Sequence, residues 1–214
     1  MRGKMIYQSI KRGIDFFISL MALIVLSPIF LILVIAIKAE SKGPVFFKQK
    51  RVGIHKKHFM ILKFRTMRTD TPKDVPTHLL ENPEQYITKT GKFLRKTSLD
   101  ELPQLINILK GDMAIVGPRP ALWNQYDLIE ERDKYKANDI LPGLTGWAQI
   151  NGRDELEIPV KAKLDGEYVK KMSFFFDLKC IFGTVFSVLK SDGVVEGGTG
   201  TMKKENPEGK TEGQ

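Results

Sequence analysis

An apolar run near the N-terminus constrains this chain more than any other feature. No residue from Phe16 to Ile37 is charged, and a helix of about 20 apolar residues can cross a bilayer. Ser27-Pro28 interrupts the run near its middle, where proline lacks a backbone N–H and clashes with the preceding turn. The run therefore predicts two helices of about ten to twelve residues, each roughly 15–18 Å long, on either side of a break.

Basic residues lie on both sides of this run. They are Arg2, Lys4, Lys11 and Arg12 before it, and Lys38, Lys42, Lys48, Lys50 and Arg51 after it. Because Lys and Arg favour the cytoplasmic side of a membrane, neither end is expected to leave that side. The pattern predicts a re-entrant helix–break–helix with both ends cytoplasmic. A single crossing that tolerates the proline is the alternative.

Length and charge set further limits. With 214 residues and a formal net charge of +9, the chain can form one domain with a core, and it suits anionic partners such as nucleic acid, phosphorylated small molecules or a membrane surface. The single cysteine, Cys180, excludes an internal disulfide framework and is predicted to be a small buried side chain. The predicted organisation is a re-entrant segment over residues 1–40, a cytoplasmic-face domain over 41–190 and a flexible tail over 191–214.

A short β-hairpin is predicted after the apolar run. Two β-prone segments, 45–53 and 59–67, flank a basic loop that contains His55 and His58. Lys63 and Arg65 alternate with apolar residues in the second segment, so they are expected on one face of the strand, where they could clamp phosphates. A solvated polar face is the alternative.

Two adjacent carboxylates, Asp100 and Glu101, precede an apolar run that starts at Leu105. Ser, Thr and Asp are favoured at helix N-termini and Pro is accepted in a first turn, so the pair is expected at the start of a helix. The free N–H groups and the macrodipole there favour negative charge. Ser98-x-x-Glu101 also fits a capping box, in which case the pair would only start the helix.

A single arginine, Arg119, is held between Pro118 and Pro120. Such a residue is stiff and already aimed, as anion recognition would prefer. An ordinary Pro-rich turn is the alternative.

The segment 141–153 contains three glycines and Trp147, which suits a loop that approaches a ligand closely. Its candidate ligand contacts are Gln149, Asn151 and Arg153. A hydrophobic turn anchored by Trp147 is the alternative.

Helices are also predicted at about 122–136, 160–172 and 174–190. The last run is rich in apolar residues and fits either an interfacial helix lying on a membrane or a core helix. The predicted fold class is α+β and mostly helical, with a re-entrant helix–break–helix, a short β-hairpin and interfacial amphipathic helices.

Chemistry inferred from the residues alone stops at phosphoryl transfer near a membrane. No P-loop, Rossmann glycine fingerprint, HExxH or GxSxG motif is present. A carboxylate pair among arginines and lysines suits Mg²⁺-assisted chemistry on a diphosphate, because the metal takes carboxylate oxygen while the cations neutralise phosphate. A carboxylate can also act as a nucleophile and form an acyl-phosphate.

Several longer motifs, in a fixed order, resemble the bacterial sugar transferase family, the small monotopic phosphoglycosyl transferases. They are Ser27-Pro28, Lys63-Phe64-Arg65-Thr66-Met67, Arg95 with Ser98-Leu99-Asp100-Glu101-Leu102-Pro103-Gln104, Lys110-Gly111-Asp112-Met113, Val116-Gly117-Pro118-Arg119-Pro120, and the segment 142–153. The resemblance covers the chain up to about residue 190.

The resemblance implies that a sugar 1-phosphate moves from a UDP-sugar to a polyprenol phosphate, expected to be undecaprenyl phosphate, with release of UMP. It implies Asp100 as the nucleophile that forms a covalent phosphosugar, Glu101 as an assisting base and Mg²⁺ bound near Asp100. The implied phosphate contacts are Lys63, Arg95 and Arg119.

The resemblance also implies a place in the cell and a set of partners. The expected location is the cytoplasmic face of the inner membrane, at the first membrane step of a bacterial glycoconjugate pathway. Membrane lipids are expected partners, nucleic acid is not, and a homodimer stays open. An N-acetylated amino sugar is favoured over a hexose.

Two rival functions make different predictions. A membrane-anchored adaptor that binds anionic lipid would use the carboxylate pair only as a cap and would turn over no UDP-sugar. A glycosyltransferase that breaks the sugar–phosphate bond would release UDP instead of UMP.

Overall fold

A computed structural model of the protein describes residues 2–71, 83–152 and 156–190. Its helices are α1 (Arg2–Val25), α2 (Ser27–Glu40), α3 (Lys89–Lys96), α4 (Gln104–Lys110), α5 (Tyr126–Asp133), α6 (Trp147–Ile150), α7 (Ile158–Lys171) and α8 (Phe174–Lys190). Its strands are β1 (Phe46–Val52), β2 (His58–Phe64), β3 (Ala114–Val116) and β4 (Gly143–Thr145). The predicted class, α+β and mostly helical, is confirmed.

The apolar run forms the second part of α1 and most of α2, which are bent by 62° at the predicted break. The predicted length of about ten to twelve residues is wrong for the first helix, because α1 has 24 residues and begins well before the apolar run. Among the described helices none is long and apolar enough alone to cross a membrane, whereas α1 and α2 together meet that requirement of length and composition. Pro28 cannot donate the N–H that would bond to the carbonyl of Ile24 in a continuous helix. The hydroxyl of Ser27 donates to that carbonyl instead, at 2.7 Å. The Ser-Pro pair thus breaks the helix and satisfies the acceptor that the break exposes.

The predicted β-hairpin is confirmed. β1 and β2 pair antiparallel, with Phe47 opposite Lys63 and Arg51 opposite Phe59. A 3-10 turn over Ile54–Lys56 joins them. One face of β2 packs Ile61 against Leu105 and Ile108 of α4, so the hairpin is fixed to the helix that follows the carboxylate pair.

The bent helix pair contributes to the core on both sides of this hairpin. Ala22 and Leu23 of α1, together with Leu26 between the two helices, pack on the cluster that contains Ile61 and Ile108. From α2, Leu33 and Ile37 pack with Phe64 and with Leu94 of α3. The strand that carries Lys63 therefore lies between the two arms of the pair.

Two predictions of local structure are wrong. The helix expected at about 122–136 is only α5, because Leu122 forms a β-bridge with Arg51 and the chain then turns. The segment 141–153 is not a free loop over its described part: β4 pairs parallel with β3, and α6 follows. Strands of three residues have too little alternation to be recognised in a sequence.

The last helix, α8, has a buried face and an exposed one. Cys180 is fully buried, as predicted, and burial raises the pKa of its thiol to about 12. Phe175, Phe182 and Phe186 are exposed. An interfacial position for this helix stays a prediction, and the tail over 191–214 lies outside the described residues.

Candidate active site

The carboxylate pair lies in a 3-10 turn over Leu99–Glu101, between α3 and α4. Ser98 starts the turn in a left-handed conformation (φ 57°), and its side chain makes no capping hydrogen bond. The two carboxylates thus directly precede a helix, but the capping box is not formed. The side chain of Glu101 is used elsewhere, by two cations.

Lys63 and Arg119 hold Glu101 from two elements. The Nζ of Lys63 donates to Oε1 of Glu101 at 2.8 Å, and Nη2 of Arg119 donates to the same oxygen at 2.7 Å. Nη1 of Arg119 lies 3.4 Å from Oε2. Burial alone would raise the pKa of Glu101, but the charges of Arg119 and Lys63 outweigh it and hold this pKa well below its usual range. Glu101 is therefore an ionised anchor for two cations.

Asp100 is buried beside this cluster, with 8% of its surface exposed. Its Oδ2 lies 3.9 Å from the Nζ of Lys63. Burial raises the pKa of Asp100, the charge of Glu101 raises it further, and Lys63, Arg95 and Arg119 act in the opposite direction. The adjacent carboxylates thus differ: Glu101 is a tightly paired anion, and Asp100 is a more basic carboxylate surrounded by positive charge.

Arg95 enters the site from the C-terminal end of α3. Its Nε donates to the hydroxyl of Thr66 at 2.9 Å, and its charge lowers the pKa of Asp100. Three of the predicted phosphate contacts, Lys63, Arg95 and Arg119, are therefore brought to the carboxylate pair.

Arg65 is placed differently from the prediction. It follows the last residue of β2, and its guanidinium donates to the carbonyls of Ser41 and Lys42 at 2.8 and 2.6 Å. These hydrogen bonds hold the segment that follows α2. The prediction placed Arg65 on the same strand face as Lys63. β2 ends at Phe64, so the alternation of side chains does not extend to Arg65.

Gln149 and Asn151 both donate to backbone within their own segment. The Nε2 of Gln149 donates to the carbonyl of Leu144 at 3.0 Å, and the Nδ2 of Asn151 donates to that of Trp147 at 2.7 Å. Trp147 packs on Phe176 of α8 and lies beneath the Nζ of Lys179. This arrangement favours the alternative of a turn anchored by Trp147. Arg153 lies outside the described residues.

The same segment nevertheless supports the site through its backbone. The N–H of Gly143 donates to the carbonyl of Pro118 at 2.9 Å, and the N–H of Gly117 donates to that of Thr145 at 2.8 Å. β4 therefore holds the two residues that precede Arg119.

Sequence reasoning missed two positioning residues. Asn107, fully buried in α4, accepts from the N–H of Leu62 at 2.9 Å and donates to the carbonyl of Met60 at 2.9 Å, which fixes the strand next to Lys63. An amide within the apolar run 105–109 was the available signal, because a buried polar group requires partners. Thr66, which accepts from Arg95, lies within a family motif, but its residue type alone did not indicate this contact.

A magnesium ion fits the donor set only with help from a substrate. No group of three or more His, Cys, Asp or Glu suitable for a metal exists among the described residues. Mg²⁺ is commonly held by one or two carboxylates together with substrate phosphates and water. Because Glu101 is engaged by Lys63 and Arg119, Asp100 is the carboxylate that could share such an ion with a diphosphate.

The family model described as "Bacterial sugar transferase" matches residues 6–191. The chain belongs to the bacterial sugar transferase family. The match covers the bent helix pair, the carboxylate pair and the Arg119 segment.

Relatives of this sugar transferase differ in length and in what is known of them. It is 44% identical over 185 residues to the uncharacterized sugar transferase EpsL of Bacillus subtilis (strain 168), which covers 86% of this chain and 90% of that protein. It is 42% identical over 185 residues to the UDP-glucose:undecaprenyl-phosphate glucose-1-phosphate transferase of Escherichia coli (strain K12), which covers 83% of this chain and 39% of that protein.

A third relative is the UDP-N-acetylgalactosamine-undecaprenyl-phosphate N-acetylgalactosaminephosphotransferase of Aeromonas hydrophila. It is 36% identical over 196 residues, which cover 88% of this chain and 45% of that protein. The chain thus spans less than half the length of the two relatives described here whose names state a reaction. The family match and these relatives confirm the predicted family and the prediction of an enzyme, a phosphoglycosyl transferase.

Proposed function

We propose that this chain transfers a sugar 1-phosphate from a UDP-sugar to undecaprenyl phosphate and releases UMP, through a covalent phosphosugar on Asp100. The observation that carries the proposal is the buried Asp100 with its raised pKa, beside Lys63, Arg95 and Arg119. The names of the Escherichia coli and Aeromonas hydrophila relatives support the two substrates.

In the first half-reaction a carboxylate oxygen of Asp100 attacks the sugar-bearing phosphorus of the UDP-sugar. A bond from Asp100 to phosphorus forms, the bond from that phosphorus to the bridging oxygen breaks, and UMP leaves with the bonding electron pair. A carboxylate can act as the nucleophile in such a step, and a more basic carboxylate is, once ionised, the stronger nucleophile. Lys63, Arg95 and Arg119 would stabilise the negative charge that grows on the phosphate oxygens.

In the second half-reaction a phosphate oxygen of undecaprenyl phosphate attacks the same phosphorus. The bond to Asp100 breaks, the carboxylate is regenerated, and undecaprenyl diphosphate sugar is formed. A phosphate monoester has a second pKa of about 6, so the acceptor is largely deprotonated at neutral pH. Its attack requires little help from a base.

Glu101 fits a different role from the base implied by the resemblance. A carboxylate whose pKa is lowered by two bound cations accepts a proton poorly. We assign to Glu101 the task of orienting Lys63 and Arg119 toward the diphosphate.

A magnesium ion held by Asp100 and the diphosphate would supply further charge neutralisation. This assignment follows from the donor set, because Asp100 is the carboxylate of the pair that makes the longer contact with Lys63, 3.9 Å against 2.8 Å for Glu101.

The proposed location is the cytoplasmic face of the inner membrane, with α1 and α2 as a re-entrant pair. The 62° bend and the exposed apolar residues on both helices support it. These residues include Phe17, Met21, Val25, Leu31, Ile32 and Ile35. Such a position would bring the carboxylate pair to the level of the lipid phosphate, at the first membrane step of a glycoconjugate pathway.

The decisive experiment is a screen of UDP-sugars with the purified full chain, undecaprenyl phosphate and Mg²⁺. We expect one or a few sugars to release UMP and to give a lipid-linked diphosphate sugar. We expect EDTA to abolish this release and added Mg²⁺ to restore it. Release of UDP would identify a glycosyltransferase, and the absence of turnover with every sugar would favour the adaptor.

The same screen identifies which sugar the enzyme transfers. The relatives' names include glucose and N-acetylgalactosamine, so the panel must contain hexoses and N-acetylhexosamines. The preference for an N-acetylated amino sugar stays a prediction.

A further inference from the structure

Arg51 lies in β1 on the face that also carries the site. Residues on neighbouring strands that lie opposite each other share a face, and side chains alternate along a strand. Arg51 is opposite Phe59, Gln49 is opposite Ile61, and Phe47 is opposite Lys63. Since Ile61 packs on α4, this face of the hairpin is turned toward the carboxylate pair.

The guanidinium of Arg51 connects β1 with the segment that carries Arg119. Its Nη1 donates to the carbonyl of Pro120 at 3.0 Å, and its Nη2 donates to Oε1 of Gln49 at 2.7 Å. The backbone continues the connection, because the N–H of Val52 donates to the carbonyl of Ala121 at 3.0 Å. β1 therefore holds the residues that follow Arg119.

Arg119 is thus fixed from both directions. Before it, Gly117 and Pro118 make backbone hydrogen bonds to β4. After it, Pro120 offers only its carbonyl for backbone hydrogen bonding, because proline has no N–H, and Arg51 binds that carbonyl. Pro118 and Pro120 are buried while the side chain of Arg119 is 34% exposed and reaches Glu101.

We propose that Arg51 is a positioning residue that sets the aim of Arg119 toward the carboxylate pair and the diphosphate. The inference rests on the proposed function, since it requires Arg119 to act on a phosphate. Arginine suits this task because its planar fork offers several donors in fixed directions. One arm binds Pro120 while Gln49 holds the other. A lysine could serve one of these acceptors but would not fix the direction of the contact.

A double-mutant cycle separates action through Arg119 from general support of the fold. The variants are Arg51→Met, Arg119→Lys and the double variant, with Arg51→Lys as the conservative variant and Lys48→Met as the matched control on β1. For each full-length protein, kcat/KM for the UDP-sugar is measured by UMP release, the affinity for UDP by calorimetry, and Tm by thermal unfolding. Where turnover of the double variant is too low to measure, the coupling is calculated from the four UDP affinities.

We expect Arg51→Met to lower kcat/KM and UDP affinity about tenfold, a size within the range of couplings between contacting residues. Arg51→Lys should lower them less, and Lys48→Met should leave them unchanged. In the Arg119→Lys background, Arg51→Met should add less than about a twofold loss. An equal loss in both backgrounds, or none in the wild-type background, would overturn the role of Arg51. A wild-type chain that turns over no UDP-sugar would instead overturn the proposed function.

Discussion

At the scale of single residues, the two adjacent carboxylates have opposite electrostatic settings. Arg119 and Lys63 lower the pKa of Glu101 against the effect of its burial, whereas burial raises the pKa of Asp100. Neighbouring carboxylates with pKa values pushed apart are typical of sites that divide roles between them. The division here favours Asp100 as nucleophile and Glu101 as an anchor.

Asp100→Asn tests the nucleophile. Because burial penalises the charged carboxylate, a neutral amide of similar shape should leave Tm unchanged or slightly raised. Loss of a nucleophile should lower turnover by roughly 10³-fold or more. Wild type incubated with UDP-sugar and Mg²⁺ without lipid should gain one phosphosugar by mass spectrometry, and the variant should not.

The control for this experiment is Asp70→Asn, an exposed aspartate paired with Arg68. It should retain both turnover and the adduct. An adduct that persists in Asp100→Asn, or full turnover of that variant, would remove Asp100 from the role.

Lys63→Met tests the electrostatics of Asp100 through the pH dependence of kcat/KM. Lys63 lowers the pKa of Asp100, so its removal should raise this pKa and reduce the ionised fraction at any given pH. The acid limb of kcat/KM, which reports the free enzyme, should therefore move to higher pH. Lys48→Met on the same hairpin is the control. An acid limb that stays in place would mean that Asp100 does not govern it.

At the scale of elements, the Ser27-Pro28 break should depend on both residues together. The hydrogen bond from Ser27 to the carbonyl of Ile24 is exposed in the protein itself, so its contribution depends on the proposed membrane setting. In detergent, which surrounds the helix pair with apolar chains, Ser27→Ala should cost about 1–3 kcal/mol of unfolding free energy, because this carbonyl then lacks its donor. In a Pro28→Ala background the restored N–H can bind that carbonyl, so the same change should cost little. Denaturant unfolding of all three variants in detergent measures the difference, and equal costs in both backgrounds would contradict this account.

Elements with a long regular pattern were predictable from the sequence, and those held by distant partners were not. The bent helix pair, the β-hairpin and α7 follow from apolar periodicity and from Pro28. β3 and β4 are short strands that pair across the segment between them, which no local pattern encodes. Likewise, residue types and motifs singled out Lys63, Arg95 and Arg119, whereas the placement of Arg65 depended on where β2 ends.

At the scale of the whole molecule, the bent helix pair and the region that carries the carboxylate pair form one structure. Lys11 of α1 donates to Asp177 of α8 at 2.6 Å in a buried contact. The hydroxyl of Tyr168 donates to the other oxygen of Asp177 at 2.7 Å and lies 3.0 Å from the carbonyl of Val116, shortly before Arg119.

The second helix of the pair, α2, is connected to the site as well. Its Glu40 accepts hydrogen bonds from the first two N–H groups of α3, the helix that carries Arg95. A shift of either helix of the bent pair would therefore displace Arg95 and Arg119, two of the cations beside the carboxylate pair.

Because these hydrogen bonds connect the helix pair to the carboxylate site, the membrane topology of the helix pair tests the proposed position of the site. If α1 and α2 are re-entrant, both termini lie in the cytoplasm, so Gly3→Cys and Lys210→Cys should each react with a membrane-impermeant maleimide only after cells are permeabilised. The native Cys180 should stay silent, because it is fully buried and its thiol has a pKa raised to about 12. Pro28→Leu should favour a straight crossing, which would expose residue 3 outside while the catalytic region stays inside. External labelling of Gly3→Cys in the otherwise wild-type chain would instead show that the pair crosses the membrane as a single broken span.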